Sequence, residues 1–150
     1  MKLYLAGFDV FRPDAKNYGK KLKNICAAHG VTGLYPLDNE ADSADDIFKG
    51  NLALIDECDA LLANLNDFRG RDVDSGTAFE VGYAFARGKQ IFGYLSDDRP
   101  LREKLGEKDA EGFSVENFQM PVNLMIACCT KIVQGGFTDG LKVCLLSYHR

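Results

Sequence analysis

At 150 residues the chain is long enough to bury one substantial core, and its 46% hydrophobic and 27% charged content is that of an ordinary globular domain. The formal net charge of -4 argues against a nucleic-acid partner, because phosphate contacts need clustered Lys and Arg. The nearest approach to a cluster, Lys16, Lys20, Lys21 and Lys23, reads as the solvated face of one helix. In chain order, Lys2–Ala6 is a short apolar run ending at Gly7, which suits a buried strand. Asp14 is placed to cap a helix from Ala15 to His29, with Tyr18, Leu22, Ile25 and Cys26 as its apolar stripe and Gly30 as its stop. Val31–Tyr35 reads as a second strand closed by Pro36. Ser43 caps a helix over Ala44–Glu57, with Ile47, Leu54 and Ile55 facing inward and Asn51 on the same side.

Asp59–Leu65 is a nearly continuous apolar run, as in parallel strands covered on both faces. A polar loop over Asn66–Asp74 leads into a helix over Gly76–Arg87, stopped by Gly88, and Gln90–Leu95 is the fourth strand. Ser96–Gly112 reads as a long loop or weakly helical excursion. Pro121 starts a helix through Cys129, Lys131–Val133 is a fifth strand, and a last helix begins near Thr138. Strands alternating with helices imply a doubly wound α/β fold with a flavodoxin-like order 2-1-3-4-5, in one domain over residues 1–150. Ligands bind such sheets outside the carboxyl ends of the strands, where Gly7–Pro13, Pro36–Asp38 and Asn66–Asp74 are expected to gather.

Cys26, Cys58, Cys128, Cys129 and Cys144 are odd in number and lack C-x-x-C spacing, a usage that fits a reducing compartment better than a disulfide framework. His29 and His149 are the only imidazoles, so no zinc site is expected. The chain runs directly into a strand, with no signal-peptide pattern and no apolar run long enough to span a bilayer. The expected location is cytoplasmic, with no membrane partner and no cofactor.

The richest segment is Asp74-Ser75-Gly76-Thr77-Ala78-Phe79-Glu80-Val81-Gly82-Tyr83-Ala84. It sets a carboxylate at each end of a glycine-assisted turn into a helix. A helix N-terminus favours an ionised carboxylate, and an ionised, positioned Glu is what attack on a sugar carbon requires. Gly76, Gly82 and Ala84 would allow close approach of a substrate or another backbone. Thr77 to Glu80 also fits the capping box S/T-x-x-E, a purely structural device. Phe8 and Phe11, at a strand end, either stack on a planar base or plug the core. Tyr4 either hydrogen-bonds a carboxylate or is satisfied in the core. Asp38 is a turn residue or a ligand contact. Asn51 is a poor helix former on an inward face, which invites a functional reading beside that of a buried structural amide. Asn123, near a helix start already occupied by Pro121, reads only weakly as a cap.

Taken in order, Tyr4-Leu5-Ala6-Gly7 with Asp9-Val10-Phe11, Pro36-Leu37-Asp38, Ile47-Phe48-Lys49-Gly50-Asn51 and Cys58-Asp59-Ala60 match one family. Phe68-Arg69-Gly70, Asp74-x-Gly76-Thr77-x-x-Glu80-x-Gly82-Tyr83-Ala84 and Pro121-Val122-Asn123-Leu124-Met125 continue the match. The chain resembles the nucleoside 2-deoxyribosyltransferases over essentially its whole length. The resemblance implies a retaining double displacement in which Glu80 attacks C1′ of a 2′-deoxynucleoside, expels the base and holds the sugar as an ester for a second base. It implies that Tyr4 orients Glu80, that Asp74 contacts the substrate and manages the proton on the leaving base, and that Phe11 stacks on the base. It also places Asp38, Asn51, Gly76 and Met125 among the substrate contacts. Asn123 would reach the sugar 5′-hydroxyl in a neighbouring subunit's site, which makes a homo-oligomer, at least a dimer, the expected assembly. The partners are then a 2′-deoxynucleoside and a free nucleobase.

One departure concerns Asn51, where some members carry Asp; an amide cannot protonate a base at neutral pH. Two other readings remain at this level. The first is a hydrolase cleaving 2′-deoxynucleosides or their 5′-monophosphates, with Arg69 and Arg71 favouring phosphate. The second is a non-catalytic nucleotide-binding module, which would not need the carboxylate pair.

Overall fold

The structure is a computed structural model that describes residues 1–148, so His149 lies outside the described residues. Its centre is a five-stranded, all-parallel sheet in the order β2-β1-β3-β4-β5. The strands are β1 (Lys2–Ala6), β2 (Thr32–Leu34), β3 (Ala60–Asn64), β4 (Gln90–Leu95) and β5 (Lys131–Gln134). The helices are α1 (Ala15–Ala28), α2 (Ala44–Glu57), α3 (Ser75–Ala86), α4 (Leu101–Leu105), α5 (Leu124–Ala127) and α6 (Phe137–Tyr148). The expected class and strand order are those observed.

Side chains alternate across each strand, so every central strand feeds two cores. Tyr4, Ala6, Leu61, Ala63 and Ile91 pack with Ile55, Val81, Ala84 and Ile126, which places α2, α3 and α5 on one face. Leu3, Leu5, Leu62, Phe92 and Tyr94 pack with Leu22, Cys26, Leu141 and Cys144, which places α1 and α6 on the other. Cys26, Cys58 and Cys144 are buried as free thiols, and burial pushes Cys26 up to about 11 and Cys144 up to about 12. They act as small hydrophobes in the two cores.

Several local expectations change. Asp14 does not cap α1; its carboxylate turns back to the Arg12 guanidinium. Ile47 stands on the exposed side of α2, and Ile55 is the only fully buried residue of that helix. The helix expected from Pro121 is a single turn, α5, whose N-cap is Asn123: its Oδ1 accepts the Met125 N–H at 3.0 Å. Pro121 lies outside it, with its carbonyl taking the Lys104 ammonium at 2.6 Å. A side chain able to satisfy an orphan N–H outweighs the proline preference for a first helical position. The Ser43 cap of α2 and the stops at Gly30 (φ 70°) and Gly88 (φ 69°) stand as expected.

At the carboxyl end of β1 the chain passes over β3. A Cβ on Gly7 would lie 2.9 Å from the Asn64 Cβ and 3.1 Å from the Asp9 carboxylate, so only glycine fits this crossing. Gly7→Ala is expected to lower the unfolding free energy by about 1–3 kcal/mol, the usual cost of overpacking. Urea denaturation followed by far-UV circular dichroism measures it, and an unchanged midpoint would contradict the tight crossing.

Candidate active site

Helix α3 begins under a side-chain cap. The Oδ2 of Asp74 accepts the Thr77 N–H at 2.9 Å and the Thr77 hydroxyl at 2.8 Å. The capping box suggested by Thr77 and Glu80 therefore does not form. Asp74 is the N-cap, and Glu80 lies in the second turn, outside any cap. This phase turns Thr77, Val81 and Ala84 into the core, and buried Ala84 does not border a substrate surface. Gly76 and Gly82 are exposed, and a Cβ on Gly82 would meet nothing within 4 Å.

Glu80 shares the α2–α3 face of the sheet with Tyr4, which is fully buried in the middle of β1. The Tyr4 hydroxyl donates to Glu80 Oε1 at 3.0 Å. Burial raises the Glu80 carboxyl to about 7, the Tyr4 hydrogen bond opposes that rise, and the nearby Asp74 charge adds to it. Desolvation thus outweighs the helix N-terminus, which by itself favours the ionised form. The Tyr4 phenol is pushed far above its usual value, first by burial and then by Glu80, so it stays a proton donor to the carboxylate. A carboxyl raised by desolvation beside one specific hydrogen-bond donor is a candidate for chemistry.

The other expected residues fall into three groups. Asn51, on α2, has a buried Oδ1 with no hydrogen-bond partner among the described residues. An unsatisfied buried amide oxygen requires a reason, and a ligand donor is one. Phe8 and Phe11 do not plug the core. Both rings stack on Phe68 of the 66–74 loop, with centroids at 4.7 and 5.5 Å and planes within 9°, and the Arg69 guanidinium lies 4.9 Å from the Phe11 ring and 4.7 Å from that of Phe68. Phe11 remains 55% exposed, so this aromatic wall presents an open surface. The wall's third ring, Phe68, entered the sequence reading only within the Phe68-Arg69-Gly70 match, with no role assigned; an aromatic in a polar loop between a strand and the Asp74 turn was its signal.

Asp38 is not brought to the pair. Its carboxylate is held by the Lys23 ammonium of α1 and by the Tyr35 N–H, beside a groove on the α1 side. Asn123 is exposed, and its side chain is engaged within its own chain by the Met125 N–H and by Glu116 at 3.0 Å; Met125 is 75% exposed. Among the described residues no group of three or more His, Cys, Asp or Glu is placed to hold a metal ion. No helix is long and apolar enough to cross a membrane.

The Glu80 value lies above the ordinary 4.5, so between the two values the folded state binds more protons than the unfolded chain, and stability falls as pH rises from 4.5 toward 7. Glu80→Gln is therefore expected to raise the melting temperature at pH 8 and to leave it unchanged at pH 4. Differential scanning calorimetry at the two pH values reads this directly.

Three comparisons bear on this geometry. Residues 3–125 match the family model described as nucleoside 2-deoxyribosyltransferase. The structure of a 2-deoxyribosyltransferase from Leishmania mexicana is 39% identical, superposes with a TM-score of 0.87 and covers 95% of each chain. An uncharacterised Schizosaccharomyces pombe protein is 38% identical over 113 residues, which is 69% of this chain and 54% of that protein, so the chain spans about half the length of this relative. The structure of a CMP N-glycosidase from Clostridium botulinum is 21% identical with a TM-score of 0.54, covers 97% of this chain and 99% of its own, and shares the fold.

Proposed function

The chain belongs to the nucleoside 2-deoxyribosyltransferase family, and on that premise we propose that it moves 2-deoxyribose between nucleobases through an ester on Glu80. The observation that carries the reading is the half-buried Glu80 carboxylate, raised to about 7, against the Tyr4 hydroxyl at 3.0 Å. In the proposed first step a Glu80 oxygen bonds to C1′ as the N-glycosidic bond breaks, and the bonding pair leaves with the base. The departing base nitrogen takes a proton that Asp74 would relay from solvent, since the carboxylate itself only accepts hydrogen bonds here. The second base then attacks C1′ from the opposite face, restores the Glu80 carboxylate and gives net retention. Tyr4 keeps one carboxylate oxygen occupied and so presents the other.

The rest of the site is assigned within the same reading. Phe11 offers its open ring face to the base, and Gly76 leaves room beside the Asp74 cap. Asn51 Oδ1 would accept from the sugar or base. Asn123 and Met125, exposed on the surface, would complete the site of a second copy, with Asn123 on its sugar 5′-hydroxyl. Asp38 is supported least, since Lys23 already occupies it.

A second reading has its own support. Arg69 makes no ion pair among the described residues although it lies on the aromatic wall. A free guanidinium there favours an anionic substrate, as a hydrolase of deoxynucleoside 5′-monophosphates would need. Incubation with adenine and either thymidine or thymidine 5′-monophosphate, followed by chromatography, separates the readings: new deoxyadenosine from thymidine marks transfer, and free deoxyribose 5-phosphate from the monophosphate marks hydrolysis.

Glu80→Gln is expected to fold and to lose several powers of ten in turnover, as removal of a nucleophile does. Thymidine without acceptor should leave the mass of deoxyribose on the peptide containing Gly76–Arg87 of the wild type; an inverted product with no trapped sugar would contradict the ester. Tyr4→Phe removes the one interaction that lowers the Glu80 value, so the rising limb of kcat/KM, with its midpoint near 7, should move to higher pH. Mixing Glu80→Ala with Asn123→Ala subunits under exchange should restore part of the activity if the site is shared between copies. An active monomer in sedimentation would show that each chain works alone.

A further inference from the structure

The loops that carry the aromatic wall are joined by a chain of side-chain amides that plays no part in the proposed chemistry. Asp9, between Phe8 and Phe11, is only 6% exposed, and its Oδ2 accepts from Asn64 Nδ2 at 3.0 Å. Asn64, the last residue of β3, is also 6% exposed, and its Oδ1 accepts both the backbone N–H and the side-chain amide of Asn66, at 3.2 and 2.7 Å. The Oδ1 of Asn66 in turn accepts the N–H and the hydroxyl of Ser96, both at 2.9 Å. The relay crosses the carboxyl edges of β1, β3 and β4 in sequence.

Two of its members, Asp9 and Asn66, lie on opposite sides of the wall. Phe8 and Phe11 come from the loop of Asp9, and Phe68 and Arg69 follow Asn66. The second loop is not defined by its own backbone preferences: Arg69 sits in the left-handed region at φ 52°, a conformation that persists only under outside restraint. Asp9 also lies among buried tyrosines on the α1 side, and its charge helps raise Tyr35 and Tyr94 after burial itself. No basic side chain pairs with it among the described residues, so the Asn64 amide is its partner in the sheet edge.

We infer that Asn64 is a positioning residue: through Asp9 on one side and Asn66 on the other, it sets the register of Phe8 and Phe11 against Phe68 and thereby the shape of the base-binding surface. The link to base binding rests on the function proposed above; the link between the loops does not.

The relay has a donor and acceptor pattern that can be broken and restored. Asn64→Asp sets two carboxylates face to face. Adding Asp9→Asn exchanges the partners, so that residue 9 donates to residue 64, and residue 64 still accepts from Asn66. Wild type, Asn64→Asp and the double variant are compared by KM and kcat for thymidine with adenine, and by tryptic cleavage after Arg69 and Arg71 against cleavage after Arg87 and Lys142. For Asn64→Asp, KM should rise about tenfold with kcat within about threefold, since Glu80 and Tyr4 are untouched. Cleavage after Arg69 and Arg71 should quicken about tenfold, while cleavage after Arg87 and Lys142 stays unchanged, as local opening requires. The double variant should return both readouts to within about twofold of wild type.

Equal acceleration at all four sites, an unchanged KM, or failure of the exchange to restore either readout would overturn the inference. Asn66→Ala, which cuts the second link and leaves Asp9 satisfied, decides the matter if Asn64→Asp does not fold; it should raise KM and local cleavage alike. A wild type inert toward thymidine, with the proteolysis pattern intact, would refute the proposed function and leave the relay standing.

Discussion

The hydrogen bond between the Tyr4 hydroxyl and the Glu80 carboxylate is the contact on which the site depends. A carboxylate taken from water into an apolar core returns to its neutral form unless something in the core favours its charge. Here burial wins in part, raising the carboxyl to about 7, and the single phenolic donor opposes that rise. The arrangement requires that a tyrosine occupy the middle of a fully buried strand and that a helix cross that strand at the correct phase. The Asp74 cap supplies the phase, because it fixes where α3 begins and so which side chains of the second turn face β1.

The rest of the fold can be read as the support of that crossing. β1 is paired on both sides, with Tyr4 opposite Leu61 of β3 and Leu34 of β2, which fixes the backbone that carries the buried phenol. Val81 and Ala84 bury the far side of α3 against the same face, and Asp56 anchors the helix end through the Tyr83 hydroxyl and the Arg87 guanidinium. The rigid part of the site is thus built from strand and helix, while its variable part, the aromatic wall, is built from loops at the sheet edge. This division is the usual one in doubly wound folds, since loops tolerate change that packed elements do not.

The two faces of the sheet divide the family's pattern unequally. Tyr4, Asn51, Asp74 and Glu80 belong to elements on the α2–α3 side, whereas Asp38 is drawn to Lys23 of α1 on the other. Asn123 and Met125 lie on the surface, so under the proposed reading their place in a site would require a second copy. Under the proposed mechanism the raised Glu80 carboxyl also sets function against stability: the ionised form that attack would require is the one the core disfavours.

How much of this was legible beforehand follows from what each feature depends on. The five strands and most of the helix limits come from local periodicity and from glycine and proline punctuation, while their order followed from the fold rules for alternating strands and helices. Ser43 as a cap and the buried thiols are likewise local facts. The motif from Asp74 to Glu80 pointed to a carboxylate site, but it could not separate a cap from a nucleophile, because both read as the same letters. Only the tertiary structure assigned the cap to Asp74 and left Glu80 for Tyr4, a residue 76 positions away. The one-turn α5, the exposure of Ile47, the capture of Asp38 by Lys23 and the stacking of Phe68 on Phe8 and Phe11 were decided in the same way. Periodicity determines which face of an element is apolar; which partner a polar side chain meets depends on distances across the fold, and those exist only after the chain has packed.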